Sequence, residues 1–303
     1  MTEPSGLLIV NKHSGVTSHD IVGKVRRLFG TRRVGHTGTL DPMASGVLVV
    51  LIGRAAKAAE YLVADEKKYR ALLCLGLTTD TEDTTGTVLS HTDQIPTKEE
   101  ILSVCDKFMG EIEQIPPMYS ALKVDGQKLC DLARKGVTVE RKPRPVTVYE
   151  LSCSSTEQQD QYILDVHCSS GTYIRTLCAD IGASLGCGGA MGDLCRTETG
   201  GFSLCDAHTV AELEAMTEDE RLSCLIPTER LFDSLPAVSL PEFFEKLCRS
   251  GCEIYQKKIR TDLPQGARVR LCSADGSFFA LGEVRDYPQG SAIKSIKIFD
   301  LGE

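Results

Sequence analysis

The sequence has no C-x-x-C pair, and its six histidines stand singly, so the ligand spacings of zinc sites are missing. No metal is expected. The thirteen cysteines are odd in number and scattered from Cys74 to Cys272, which is not the pattern of a paired, secreted disulfide framework. They read as reduced thiols. The longest apolar run, Val47 to Ile52, falls far short of the ~20 residues that span a bilayer. The start, MTEPSGLLIVNK, has no basic segment leading into a long apolar one. A cytoplasmic protein with no membrane partner is expected. No period of 20–50 residues repeats, and no segment is of low complexity.

An excess of positive charge is also lacking: 34 Lys+Arg stand against 42 Asp+Glu, a net charge of -8. Taken as a sum, this argues against a nucleic-acid partner. The distribution argues otherwise. Between Asp20 and Asp41 there is no acid, while Lys24, Arg26, Arg27, Arg32 and Arg33 supply five cations. A second basic stretch runs from Lys123 to Arg144, interrupted by Asp125, Asp131 and Glu140.

With 303 residues, 42% of them hydrophobic and 25% charged, the chain has the composition of a globular protein of one large and one smaller domain. Leu7–Val10 reads as a strand. Thr17-Ser18 caps a helix with Ile21, Val22, Val25, Leu28 and Phe29 on one face and Gly30 as its stop. The run 46–53 reads as a buried strand, Ala55–Val63 as a helix, 69–77 as a strand and 78–87 as an acidic loop. Residues 98–109 look helical, and 115–123 form a Pro-interrupted loop entering a helix. Val146–Cys153 and Tyr162–Cys168 alternate like paired strands. A helix follows over 171–186, with Arg175 in its first turn. From about residue 237 a helix at 241–250 and short strands at 267–272, 277–284 and 293–299 suggest a small β-rich domain, with a hairpin turn at Asp275-Gly276. The pattern is α+β, with strands and helices segregated.

The segment 32–46 packs Gly35, Gly38, Gly46, Pro42 and one carboxylate, Asp41, into a loop between the basic helix and the buried strand. Such loops carry function more often than cores do. No Gly-Lys-Ser/Thr ends it, so it is not a phosphate-binding P-loop. On local sequence alone an Asp-Pro turn joining two elements explains it equally well.

The segment GHTGTLDPMASGVL (35–48) resembles the catalytic-aspartate motif of the bacterial TruB family of tRNA pseudouridine synthases, and NKHSGVTSHD (11–20) is similar to its Lys-containing N-terminal motif. The likeness continues in order through 67–83, 115–136, 168–186 and 194–202, and weakens over the last 60 or so residues. His13-Ser14 departs from the family's usual Pro, and Cys195 stands where a second Arg is common.

The resemblance implies a catalytic domain at 1–236 with a mixed, largely antiparallel sheet and flanking helices, and a PUA-like RNA-binding β-barrel at 237–303. It implies an isomerase that flips out the uridine at position 55, in the TΨC loop of tRNA, and converts it to pseudouridine. The reaction breaks N1–C1′ and rejoins the base through C5 with no atom gained, so no cofactor is needed. A monomer acting without guide RNA is expected. The guide-dependent dyskerin type is disfavoured because the loop reads LDPMASG and the chain is short and lacks a Lys-rich tail. A non-catalytic RNA-folding factor is disfavoured by the intact Asp41, Tyr69 and Arg175.

By the same resemblance Asp41 is the nucleophile or base. Arg175 is the cation that keeps a carboxylate ionised in a dry pocket, and otherwise a surface residue of an amphipathic helix. Tyr69 is the ring on which the uracil stacks, worth about 1–3 kcal/mol, or else ordinary core packing. Leu194 closes the other side of the base and Tyr173 hydrogen-bonds within the site. His36 fills the gap the flipped nucleotide leaves, and Lys12 orders the Asp41 loop. Arg26, Arg27, Arg32, Arg33 and Lys123 are the expected contacts to the RNA backbone.

Overall fold

A computed structural model describes residues 3–61, 66–120, 122–124 and 126–299. In chain order its main elements are β1 (Gly6–Lys12), α1 (Ser18–Leu28), β2 (Val34–Thr37), β3 (Ser45–Ile52), β4 (Lys67–Leu75), α2 (Lys98–Cys105) and β5 (Gly110–Gln114). There follow β6 (Arg144–Ser155), β7 (Gln161–Cys168), α3 (Ile174–Ser184), β8 (Gly189–Thr199), β9 (Phe202–Ser203) and β10 (His208–Thr209).

The two uninterrupted apolar runs form the centre. β1 and β3 pair antiparallel from Gly6 opposite Ile52 to Lys12 opposite Gly46. Leu8, Val10, Leu48, Val50 and Ile52 enter the main core on one face of the sheet. Leu7, Ile9, Val47, Val49 and Leu51 enter a second cluster on the other. A strand covered on both faces needs no polar alternate, which is why these runs lack one. In β7, by contrast, buried and partly exposed positions alternate along its whole length.

The ten-stranded sheet runs β10-β1-β3-β8-β4-β7-β6-β5, with β2 beside β3 and β9 beside β8. Only β10–β1 and β3–β8 are parallel, so the sheet is mixed and largely antiparallel, as expected. The late strand β8 is inserted between the early strands β3 and β4. That crossover assembles the site.

α1 begins at the capping box Thr17/Asp20 and buries Ile21, Val22 and Val25, and Gly30 follows it at a φ of 62°. The expected helix at 55–63 is a 3-10 helix over Gly53–Glu60, whose buried Ala55 and Ala58 lie three residues apart, the 3-10 repeat. Its last two residues, 62 and 63, lie outside the described residues. The helix expected over 98–109 stops at Cys105; a 3-10 turn and then β5 follow, a strand sequence periodicity did not signal. Leu77–Thr79 and Val88–His91 pair on either side of the acidic loop. The helix expected after 115–123 is the single turn Leu129–Ala133.

A second sheet begins at Ala237. Its strands β11 (Ala237–Ser239), β12 (Ile254–Tyr255), β13 (Arg268–Cys272), β14 (Phe278–Tyr287) and β15 (Gly290–Ile298) take the order β11-β13-β14-β15-β12, with α4 (Glu242–Arg249) against them. Asp275-Gly276 turns β13 into β14, with Gly276 at a φ of 90°. This body has its own core of Val238, Leu240, Val269, Leu271 and Phe279. It meets the larger one through Ala58, Phe232, Leu281 and Phe299, and through Arg270, whose guanidinium lies 2.8 Å from Glu229.

Gly46 is the tightest point of the assembly. Its φ is 103°, and a Cβ there would stand 2.2 Å from the carbonyl oxygen of Arg196 in β8. Gly46→Ala should therefore destabilise the protein by more than the ~1–3 kcal/mol of left-handed strain alone. Gly35→Ala, with no heavy atom within 4 Å of its Cβ, should be nearly silent. Urea unfolding of the two variants checks the contrast.

Candidate active site

Asp41 sits at the apex of the loop between β2 and β3, and the residues around it are fastened from several sides. The Leu40 N–H donates to Ser18 Oγ at 2.9 Å, and the Ala44 N–H donates to the Asp41 carbonyl. The next carbonyl, that of Pro42, accepts from the Gly15 N–H at 2.8 Å and from Lys12 Nζ at 3.2 Å. Lys12 also donates to the carbonyls of Val16 and His13. The backbone is held while the carboxylate, 39% exposed, stays open to solvent.

Arg175 comes from the first turn of α3, on the other side of the site. Its Nε lies 3.1 Å from Asp41 Oδ2, and its side chain is 6% exposed. The rest of the guanidinium is committed elsewhere: Nη1 donates to the Thr81 carbonyl at 3.2 Å and lies 3.7 Å from Asp83 Oδ2, and Nη2 donates to the Tyr119 carbonyl at 2.9 Å. Asp83 is itself buried. Its Oδ1 accepts from Thr81 Oγ, the Thr85 N–H and Thr85 Oγ. A cation so restrained can offer Asp41 only one orientation.

Lys12 is fully buried, and its Nζ reaches the Pro42 carbonyl of the Asp41 loop. Burial pushes its ammonium down to about 8, against the opposing pull of the Asp41 charge. The sign follows directly. Because the folded value lies below the ordinary 10.5, the fold carries the full cost of the buried charge below pH 8 and is relieved of it as pH rises from about 8 toward 10.5. A neutral amine, however, has two N–H donors for three carbonyls. The single-turnover rate should therefore fall above about pH 8 as the loop loosens, and Lys12→Arg, which does not titrate there, should lack that limb.

Tyr69, in β4, is 9% exposed, and burial pushes its phenol upward. Leu194, in β8 opposite Ala71, lies on the same face of the sheet, and both pack into the core cluster that contains Leu40 and Ala44. Tyr173 precedes α3. Its N–H donates to Gln114 Oε1 at 3.0 Å, its carbonyl accepts from Gln114 Nε2 at 3.2 Å, and its phenol is pushed up by burial. The charge of Asp41 is felt at Lys12, Tyr69 and Tyr173 alike. His36 stands in β2 opposite Val50, partly buried. Burial, and then the charge of Arg196, lowers its imidazole, which favours the neutral ring.

The basic residues separate. Arg27 and Arg32 are exposed. Arg33 pairs with Glu3 at 3.0 Å, and Arg26 donates to the Val34 carbonyl at 3.1 Å. Lys123 lies in the short strand Lys123–Val124, and its side chain is outside the described residues. Three residues of the site were not singled out from sequence: Asp83, Gln114 and Arg196. Arg196 alone left a usable signal, since two positions after Leu194 in a strand is the same face.

The chain matches the model of the TruB family pseudouridylate synthase N-terminal domain over residues 26–174. Residues 175–233 match the model of the tRNA pseudouridylate synthase B C-terminal domain. The join falls inside α3 and corresponds to no break in the sheet. A tRNA pseudouridine synthase B of Clostridium kluyveri is 40% identical over 295 residues, 97% of this chain and 99% of the relative. One of Alkaliphilus oremlandii is 41% identical over 298 residues, 98% of each chain. Among solved structures, the crystal structure of a Cbf5-Nop10-Gar1 complex contains a chain of TM-score 0.73 and 25% identity, covering 97% of this chain and 85% of that one. An ordered likeness over nearly the full length, joined to a carboxylate held by a buried arginine, leads to one conclusion: this chain belongs to the TruB family of pseudouridylate synthases.

Proposed function

We propose that the protein isomerises uridine to pseudouridine in the TΨC loop of tRNA, with Asp41 as the reacting carboxylate. The observation that carries this is the half-open Asp41, held by a guanidinium that is buried and otherwise fully engaged. Asp41 opens the N1–C1′ bond of a nucleotide flipped out of its stack. The freed uracil turns over between the Tyr69 ring and Leu194, and C5 takes the bond to C1′. The C5 proton then leaves and N1 gains one, so the base keeps its composition and no external oxidant or co-substrate enters. Arg175 aims the carboxylate, Lys12 fixes its loop, and Tyr173 lines the pocket wall beside it.

His36, on the strand leading into the loop, faces the gap the nucleotide leaves. Residues 1–236 do the chemistry in this reading, and 237–303 hold the RNA farther from the reacting base. No helix among the described residues is long and apolar enough to cross a membrane. We place the enzyme in the cytoplasm as a monomer that needs no guide RNA.

Arg27 and Arg32, the exposed cations of the acid-free stretch, are the phosphate contacts this reading favours. Each should contribute about 1 to the slope of log affinity against log salt, so that Arg27→Gln or Arg32→Gln flattens it by that amount. Arg33→Gln, which loses a cation already paired with Glu3, should flatten it less. The activity itself is tested with tRNA transcript carrying tritium at uridine C5. Release of one tritium per tRNA into water is expected, and no release from correctly folded transcript would refute the assignment.

A further inference from the structure

Arg196 is among the largest fully buried side chains of the protein, 1% exposed, and the chemistry above does not use it. A charge taken out of water is costly unless every donor finds a partner. Its Nε donates to the Val47 carbonyl at 2.8 Å and its Nη2 to the Gly38 carbonyl at 2.8 Å, the two ends of the loop that carries Asp41. Across the sheet the guanidinium also faces Tyr69, whose phenol its charge reaches. The sheet dictates this arrangement: Arg196 is the register partner of Tyr69 across β8–β4 and of Gly46 across β8–β3. Gly46 lets the backbone of β8 approach. Gly38 leaves the guanidinium room, since a Cβ there would stand 3.2 Å from Nη1.

We propose that Arg196 is a positioning residue for the isomerisation that acts through Tyr69, its partner across the sheet, while it grips both ends of the Asp41 loop. It thereby fixes the stacking ring relative to the reacting carboxylate. The proposal rests on the roles given above to Asp41 and Tyr69. A planar fork suits the task, because one guanidinium can bond the Val47 and Gly38 carbonyls in different directions and still face the phenol, which a lysine ammonium at the end of a flexible stem cannot do. The electrostatics agree with the geometry: burial pushes the phenol up, and the guanidinium pulls it back.

A double-mutant cycle separates this role from mere support of the loop. Single-turnover rate at saturating protein, and the dissociation constant for the same tRNA, are measured for wild type, Arg196→Lys, Tyr69→Phe and the double variant. Arg196→Lys should lower the rate about tenfold or more with little change in affinity, and should cost less than about threefold in the Tyr69→Phe background. Equal losses in both backgrounds would overturn the proposal. A wild type that forms no pseudouridine would instead defeat the functional reading. A second measurement needs neither activity nor a folded Arg196 variant: hydrogen exchange of the Arg196 guanidinium followed by NMR in wild type and Tyr69→Phe. Exchange should quicken about tenfold when the phenol is lost, and unchanged exchange would contradict the link.

Discussion

In an Asp41→Asn protein, pseudouridine formation is expected to fall by about four orders of magnitude or more, as removal of a single essential catalytic group commonly does, while affinity for tRNA is nearly unchanged. The amide keeps the volume of the carboxylate, and the loop around it is held by backbone and by neighbours. Those are the Lys12 and Gly15 bonds to Pro42, the Ser18 bond to Leu40, and the Arg196 bonds to Gly38 and Val47. What the substitution removes is the charge that faces Arg175 at 3.1 Å. Single-turnover kinetics with filter binding on the same tRNA read both quantities. Turnover within tenfold of wild type would remove Asp41 from the chemistry.

Arg175→Met should damage both rate and stability. It leaves Asp41 unoriented and Asp83 buried without its cation, and it orphans the carbonyls of Thr81 and Tyr119. Breaking a fully buried pair costs about 3–5 kcal/mol. The partial exposure of Asp41 places the expected loss toward the lower end of that range. The rate of the bound complex should fall about 10²–10³-fold, the scale for losing one preorganised electrostatic contact. Removing the stranded charge as well separates the two effects: Arg175→Met/Asp83→Asn, which keeps an Oδ1 acceptor for Thr81 and Thr85, should regain part of the stability and none of the rate. Urea unfolding and single-turnover kinetics together check this, and recovery of the rate would show that Arg175 serves only the fold.

Much of this architecture was legible in the sequence because its signals are local. The run 46–52 is apolar throughout because both faces of β3 are covered, and the Thr17/Asp20 box and Gly30 bracket α1. Asp41 stands out as the one carboxylate of a Gly- and Pro-rich loop, but its role and the choice of Arg175 come from the resemblance, since a helix-start Arg reads equally as a surface residue. Asp83 and Arg196 stayed hidden because their partners are distant in the chain. The acidic loop reads as a solvated turn until Arg175 is set against it, and Arg196 reads as one more strand residue until β8 is inserted between β3 and β4. No periodicity announces that insertion. The sequence of 55–63 reads as a helix without saying of which kind, and the buried spacing of Ala55 and Ala58 marks Gly53–Glu60 as 3-10.

The central claim is that this chain alone, through Asp41, makes pseudouridine in the TΨC loop. Its most direct test is to incubate purified protein with unmodified tRNA transcript, without guide RNA, and to map pseudouridine by carbodiimide treatment and primer extension. The account predicts one new stop at the uridine of the TΨC loop with wild type and none with Asp41→Asn. A stop elsewhere in the tRNA, or the same stop with both proteins, would contradict it.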